Sequence, residues 1–228
     1  MKFGAIGCSH TSQGYGEPWP IHLGKTLEME PIIASSSGAG NSMFIEKCRR
    51  IADSEPNLIV VQITEPTRIT TGLASFDLSS HTSDYNSELN DGGHFENTGY
   101  YTWNTFSNDP LFSKLGHKTK IDDFWRKEVS TSNWCYINTV HSMLAMQYIC
   151  DNKKIPVIFF SWFLPFENFI PTKYNWLNDS MNLVRGCAND FFKDNQIKPL
   201  PDNHYGSDAH RQLVDGWLSR QIRKYVLK

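Results

Sequence analysis

Three short apolar runs near the start of the chain constrain its fold more than any other feature. Residues 2–7, 30–35 and 58–63 each have the length and apolar content of a buried strand. Between the second and third runs, residues 42–52 repeat their apolar side chains at a helical period. Strand, helix and strand at this spacing predict parallel pairing with a right-handed crossover.

The rest of the chain continues this alternation. The apolar patterns predict a fourth strand over 155–160 and helices over 120–128, 134–150, 175–194 and 206–226. Residues 70–118 are rich in Ser, Thr, Asn, Asp and Gly, and they predict a long irregular insertion that either lines a site or is a surface excursion. We therefore expect one α/β domain over residues 1–228, with a mainly parallel sheet between helices.

Charge and composition exclude several classes of protein. The formal net charge is -2 at pH 7 and no run of Lys or Arg exists, so neither nucleic acid nor a membrane surface is an expected partner. No secretory signal and no apolar stretch of membrane-spanning length is visible, which favours a cytoplasmic or virion-associated protein. The 5 cysteines are scattered without a Cys-x-x-Cys pair, and we expect them to be free thiols.

Candidate functional residues follow the predicted strands, where open parallel sheets bind their ligands. They are Ser9 after the first strand, Gly38 and Asn41 after the second, Thr64 and Arg68 after the third, and Asp202 and His204 before the last helix. A serine hydroxyl becomes a nucleophile when a histidine takes its proton and a carboxylate orients that histidine. Ser9, His204 and Asp202 fit these three roles, and backbone N–H groups of Ser9 and Gly38 fit the stabilisation of an oxyanion.

The order of these motifs resembles that of the SGNH (GDSL-type) hydrolases. Gly7-Cys8-Ser9 stands where that family has Gly-Asp-Ser, Gly38 matches its second block, and Asp202-Asn203-His204 matches its Asp-x-x-His before the last helix. The resemblance implies a flavodoxin-like three-layer α/β/α sandwich. It also implies a metal-free and cofactor-free hydrolase of small-molecule or carbohydrate esters, including acetyl groups.

Three departures from the family pattern bear on activity. Cys8 replaces the aspartate of the first block, and one residue rather than two separates the acid from the histidine. Thr64-Glu65-Pro66-Thr67 stands where Gly-x-Asn-Asp is usual, so the asparagine donor of the oxyanion site is absent. Its replacement by Thr64, Arg68 or Asn41 stays open at the level of sequence.

Other readings of the same residues remain. The altered third block is also typical of a catalytically silent SGNH-like binding domain, and residues 36–41 resemble an anion cradle, though without a complete phosphate-loop signature. Cys8 is a weaker candidate nucleophile, since a buried thiol lacks a stabilised thiolate. His10 fits a structural or cleft-lining role. His81 and His94 lack tight ligand spacing, so no metal is expected.

Overall fold

A five-stranded sheet, parallel throughout, forms the centre of the protein in a computed structural model. The structure describes residues 1–12, 16–36, 39–66, 68–72, 100–104 and 132–226. The strands of this sheet are β1 (Lys2–Gly7), β2 (Glu30–Ser35), β3 (Leu58–Ile63), β6 (Val157–Ser161) and β7 (Asn182–Cys187). Their spatial order is β2-β1-β3-β6-β7, which is the flavodoxin-like order.

Helices cover both faces of this sheet. They are α1 (Trp19–Leu27), α2 (Phe44–Asp53), α3 (Ser132–Lys153), α4 (Phe166–Phe169), α5 (Leu177–Ser180), α6 (Ala188–Asp194), α7 (Ser207–Leu213) and α8 (Ser219–Val226). A π-helical segment, Val214–Leu218, joins α7 to α8. One core cluster packs α2 and α3 against the sheet, and a second packs α1, α6, α7 and α8 against its other face. The three-layer α/β/α fold predicted from the sequence is therefore confirmed.

Burial on both faces explains why the sequence marks the central strands so clearly. Every residue of β3 is buried, and five of the six residues of β1 are buried. Strands that are covered on both sides are continuous apolar runs rather than alternating ones. The predicted bounds of β1, β2 and β3 accordingly match the observed ones.

One expectation was wrong. The helix predicted over 175–194 is instead α5, β7 and α6, and β7 carries Gly186 at a φ of +79° next to an irregularity in its pairing with β6. Of the insertion predicted over 70–118, the structure describes 70–72 and 100–104, which lie in an antiparallel ribbon of β4 (Arg68–Gly72) and β5 (Tyr100–Asn104). The helix predicted over 120–128 lies outside the described residues, as do 73–99 and 105–131.

Candidate active site

Ser9 lies at the end of β1, in a tight strand-to-helix turn. Cys8 is extended, and Ser9–Thr11 form one turn of 3-10 helix closed by the Thr11 N–H donating to the Cys8 carbonyl at 2.9 Å. The turn needs glycine at position 7, because a Cβ there would overlap the Thr11 hydroxyl and the Gln62 side chain. The local sequence therefore aims Ser9 at the carboxyl edge of the sheet.

A buried network of hydrogen bonds connects this turn to α1 and β3. The Trp19 indole N–H donates to Thr11 Oγ1 at 3.0 Å, and the Thr11 hydroxyl donates to Gln62 Oε1 at 2.5 Å. The Gln62 amide in turn donates to Cys8 Sγ at 3.2 Å. The Cys8 thiol therefore points into the core, where it is fully buried, and this placement argues against Cys8 as the nucleophile.

His204 meets Ser9 across the carboxyl edge of the sheet. Its Nε2 lies 2.9 Å from Ser9 Oγ, although the two residues are 195 positions apart in the chain. On the other side of the ring, Nδ1 lies 3.4 Å from Asp202 Oδ2, which is an ion-pair contact but too long for a well-formed hydrogen bond. The structure thus brings together the three residues that the sequence singled out for catalysis.

Aromatic rings form a wall behind His204. The His10 ring stacks on Trp162 with a centroid distance of 4.3 Å and an interplanar angle of 15°, and its centroid lies 5.0 Å from that of His204. Trp162 directly follows β6 and is 1% exposed. His10 is thus placed to pack against the ring of His204, in line with a structural role. Sequence reasoning noted the aromatic segment around Trp162 but missed its contact with the site.

A second group of histidines lies beside this wall. His210 is buried on α7 with its ring centroid 5.6 Å from that of Trp162, and His22 Nε2 lies 3.2 Å from Ser207 Oγ. Burial, reinforced by the neighbouring His22 and His204, lowers the pKa of His210 to about 4. His210 is therefore neutral at pH 7 and is placed for packing rather than for proton transfer to Ser9.

Of the candidate oxyanion and substrate-binding residues after β2 and β3, the structure describes the side chains of Asn41 and Thr64. Asn41 is buried, its Oδ1 accepts the Thr64 N–H at 2.9 Å, and its Nδ2 donates to the Thr64 carbonyl at 3.3 Å and to Thr139 Oγ1 at 3.2 Å. The amide of Asn41 therefore fixes the main chain at Thr64. Gly38 lies outside the described residues, and so does the side chain of Arg68, whose main chain begins β4.

Thr64 directly follows β3, the strand that pairs with β1, and Ser9 lies in the turn after β1. Thr64 is fully buried, and within the described part of the chain its hydroxyl makes no hydrogen bond. A buried hydroxyl without a protein partner is costly, which keeps Thr64 among the candidate oxyanion donors.

The described residues form neither a metal-binding cluster nor a membrane-spanning helix. Across the described residues, no three His, Cys, Asp or Glu side chains are close enough together to hold a metal ion. His81 and His94 lie outside those residues. The helices in the described ranges include none that is both long and apolar enough to cross a bilayer.

Comparison with known proteins identifies the fold. No protein-family model matches the sequence. No curated protein matches it either. A solved structure from Desulfitobacterium hafniense, provisionally assigned to the G-D-S-L family of lipolytic proteins, is similar with a TM-score of 0.51 at 12% identity, over 94% of this chain and 95% of that one. A Bacteroides fragilis protein, provisionally assigned as an acylhydrolase, has a TM-score of 0.46 at 10% identity, over 99% of this chain and 88% of its own.

The structure is thus an α/β/α sandwich of the class that carries sites at the carboxyl edge of its sheet. More particularly, the fold is similar to that of the structure assigned to the G-D-S-L family, in agreement with the SGNH-like fold that the motif resemblance implies.

Proposed function

We propose that this protein is a serine hydrolase that cleaves carboxylic esters. The observation that carries the proposal is the 2.9 Å contact between Ser9 Oγ and His204 Nε2, with Asp202 on the far side of the same ring. A hydroxyl, an imidazole and a carboxylate in this order are the groups that activate serine for acyl transfer.

In the proposed reaction, Ser9, His204 and Asp202 each have one role. His204 takes the Ser9 proton as Ser9 Oγ attacks the acyl carbonyl, and the protonated ring then gives that proton to the leaving alcohol. His204 next takes a proton from water as the water oxygen attacks the acyl carbon, and it gives that proton to Ser9 Oγ as the bond to the acyl group breaks, which releases the acid and restores Ser9. Asp202 holds the ring orientation and stabilises the charge that His204 carries between these steps.

We assign the side-chain oxyanion donor to Thr64 rather than to Asn41. Both N–H groups of the Asn41 amide already have acceptors, whereas the Thr64 hydroxyl makes no hydrogen bond to any described residue. Asn41 would then act through Thr64 by fixing its main chain. Backbone N–H groups of Ser9 and Gly38 remain the proposed main-chain donors, and Arg68 remains a proposed substrate-binding residue.

The direct test is hydrolysis of p-nitrophenyl acetate by wild type and by Ser9→Ala. Loss of the nucleophile is expected to lower kcat by a factor on the order of 10⁴ or more. Ser54→Ala is the matched control, because the Ser54 hydroxyl donates to the Ile51 carbonyl at the opposite edge of the sheet. Equal rates for wild type and Ser9→Ala would exclude Ser9 as the nucleophile.

A catalytically silent SGNH-like binding domain is the second candidate. The 3.4 Å separation of His204 Nδ1 from Asp202 and the engaged amide of Asn41 favour it. This alternative predicts that a fluorophosphonate probe fails to label folded wild-type protein. Labelling of wild type and of Ser54→Ala, but not of Ser9→Ala, would reject the silent domain.

A further inference from the structure

Asp202 and His204 belong to one short, hydrogen-bonded loop before α7. The Asn203 N–H donates to the Leu200 carbonyl at 2.9 Å, and the Leu200 N–H donates to the His204 carbonyl at 2.7 Å. These two bonds close a three-residue loop of Pro201, Asp202 and Asn203. Loops of this length commonly combine a turn with one residue in the left-handed region.

Asn203 is that left-handed residue, with a φ of +64°. Among residues with a side chain, asparagine and aspartate tolerate this conformation best, and glycine adopts it freely. Asn203 is exposed, as are Pro201 and Asp202 on the same loop. A substitution at position 203 therefore changes the backbone preference of the loop without removing a buried contact.

The left-handed step turns the carboxylate back onto the residue that it serves. Asp202 Oδ1 accepts the main-chain N–H of His204 at 3.2 Å, while Oδ2 faces Nδ1 of the His204 ring at 3.4 Å. One carboxylate thus contacts both the main chain and the ring of the same histidine. In this loop one residue separates the acid from the histidine, and that residue carries the left-handed step.

We propose that Asn203 is a positioning residue for the reaction, whose left-handed backbone sets the Asp202–His204 geometry and thereby the base that activates Ser9. The inference rests on the proposed serine-hydrolase function. On this inference, Asn203 allows an acid and a histidine that are separated by one residue to work together. It does so through its backbone conformation and not through a contact with substrate.

The test is a series at position 203 assayed with p-nitrophenyl acetate. Asn203→Gly is expected to retain kcat within about twofold, because glycine adopts the same φ. Asn203→Val is expected to lower kcat about 5- to 30-fold with KM unchanged, the equivalent of about 1–2 kcal/mol, because a β-branched side chain fits the left-handed region worse than asparagine does. Asn203→Ala provides a milder second variant if the valine protein folds poorly.

Two controls separate positioning from general stability. Lys154 is exposed and has a φ of +56° after α3, at the opposite edge of the sheet, so Lys154→Val carries the same backbone penalty away from Ser9. It is expected to lower the melting temperature and leave kcat unchanged. In an Asp202→Asn background, Asn203→Val is expected to have little further effect on kcat, because the two residues act as a unit.

The outcomes are distinct. If Ser9→Ala abolishes hydrolysis while Asn203→Val keeps the wild-type kcat, the inference is wrong and the proposed function stands. An equal loss in Asn203→Gly and Asn203→Val also overturns it, since a backbone role requires rescue by glycine. If Ser9→Ala keeps the wild-type rate, the proposed function itself fails, and the inference fails with it.

Discussion

The buried histidine on α7 makes the stability of the protein depend on pH. His210 is 3% exposed, and its pKa is lowered to about 4 from an ordinary value of 6.5 by burial first and by the neighbouring His22 and His204 second. The unfolded chain therefore takes up a proton near pH 6.5 that the folded protein refuses until about pH 4. Stability contributed by neutral His210 is complete above pH 6.5 and is lost as the pH falls from there towards 4.

These two pKa values set the size of the effect. Between pH 7 and pH 5 the free energy of unfolding is expected to fall by about 2 kcal/mol through His210 alone, and the full difference in pKa is worth about 3 kcal/mol. Replacement by phenylalanine removes the titration while keeping an aromatic ring beside Trp162. The variant His210→Phe should therefore lack this part of the pH dependence.

Urea denaturation at pH 7 and pH 5 measures the effect. The loss of stability between the two pH values is expected to be about 2 kcal/mol smaller in His210→Phe than in wild type. The matched control is His141→Phe, which replaces an exposed histidine by the same residue and leaves the buried His210 in place. An identical loss in wild type and His210→Phe would refute the argument that burial excludes the proton from His210.

Substitutions at three further positions test the turn and the oxyanion site. Thr64→Val should lower kcat for p-nitrophenyl acetate by about 10²–10³ with little change in KM, whereas Thr64→Ser should keep most of the wild-type kcat. A fully active valine variant would contradict the assignment of Thr64. Gln62→Leu should lower the free energy of unfolding, measured in urea, by about 1–3 kcal/mol, because Gln62 is fully buried and the Thr11 hydroxyl loses its acceptor. An unchanged free energy of unfolding would mean that the hydrogen bonds of Gln62 do not stabilise the fold. Gly7→Ala should cost a similar amount, about 1–3 kcal/mol, because its Cβ would overlap the Thr11 hydroxyl, and an unchanged midpoint would contradict that crowding.

The central strands β1 and β3 and the edge strand β2 were predictable from sequence, and the edge strand β7 was not. Strands β1 and β3 are covered on both faces, so their apolar runs are continuous and their bounds are visible. The edge strand β7 has an exposed Arg185 and a left-handed Gly186 within six residues, which breaks any strand period. Helix α1 was also missed, because Pro18 and Pro20 at its start are typical of a turn as well as of a first helical residue.

The sequence named Ser9, Asp202 and His204 as one candidate site but did not give the geometry of that site. Ser9 was singled out because it follows the first strand, at the edge where open parallel sheets bind ligands. His204 was singled out because Asp202-Asn203-His204 precedes the last helix. The choice between Asn41 and Thr64 as the oxyanion donor depends on which of their polar groups already have hydrogen-bond partners. No sequence pattern reports those partners. Asn203 did carry a signal, since Pro-Asp-Asn is typical of a turn, but the signal does not specify that the turn folds a carboxylate onto the next histidine.

The distance along the chain between Ser9 and His204 has a consequence for how reactivity arises. The two side chains are 195 positions apart, and their contact closes only when the loop before α7 reaches the end of β1. Contacts of such sequence separation carry a high entropic cost and tend to form late. On the proposed function, a nascent or partly folded chain has an inert serine, and reaction of Ser9 with a probe reports that the first strand and the final helices have come together.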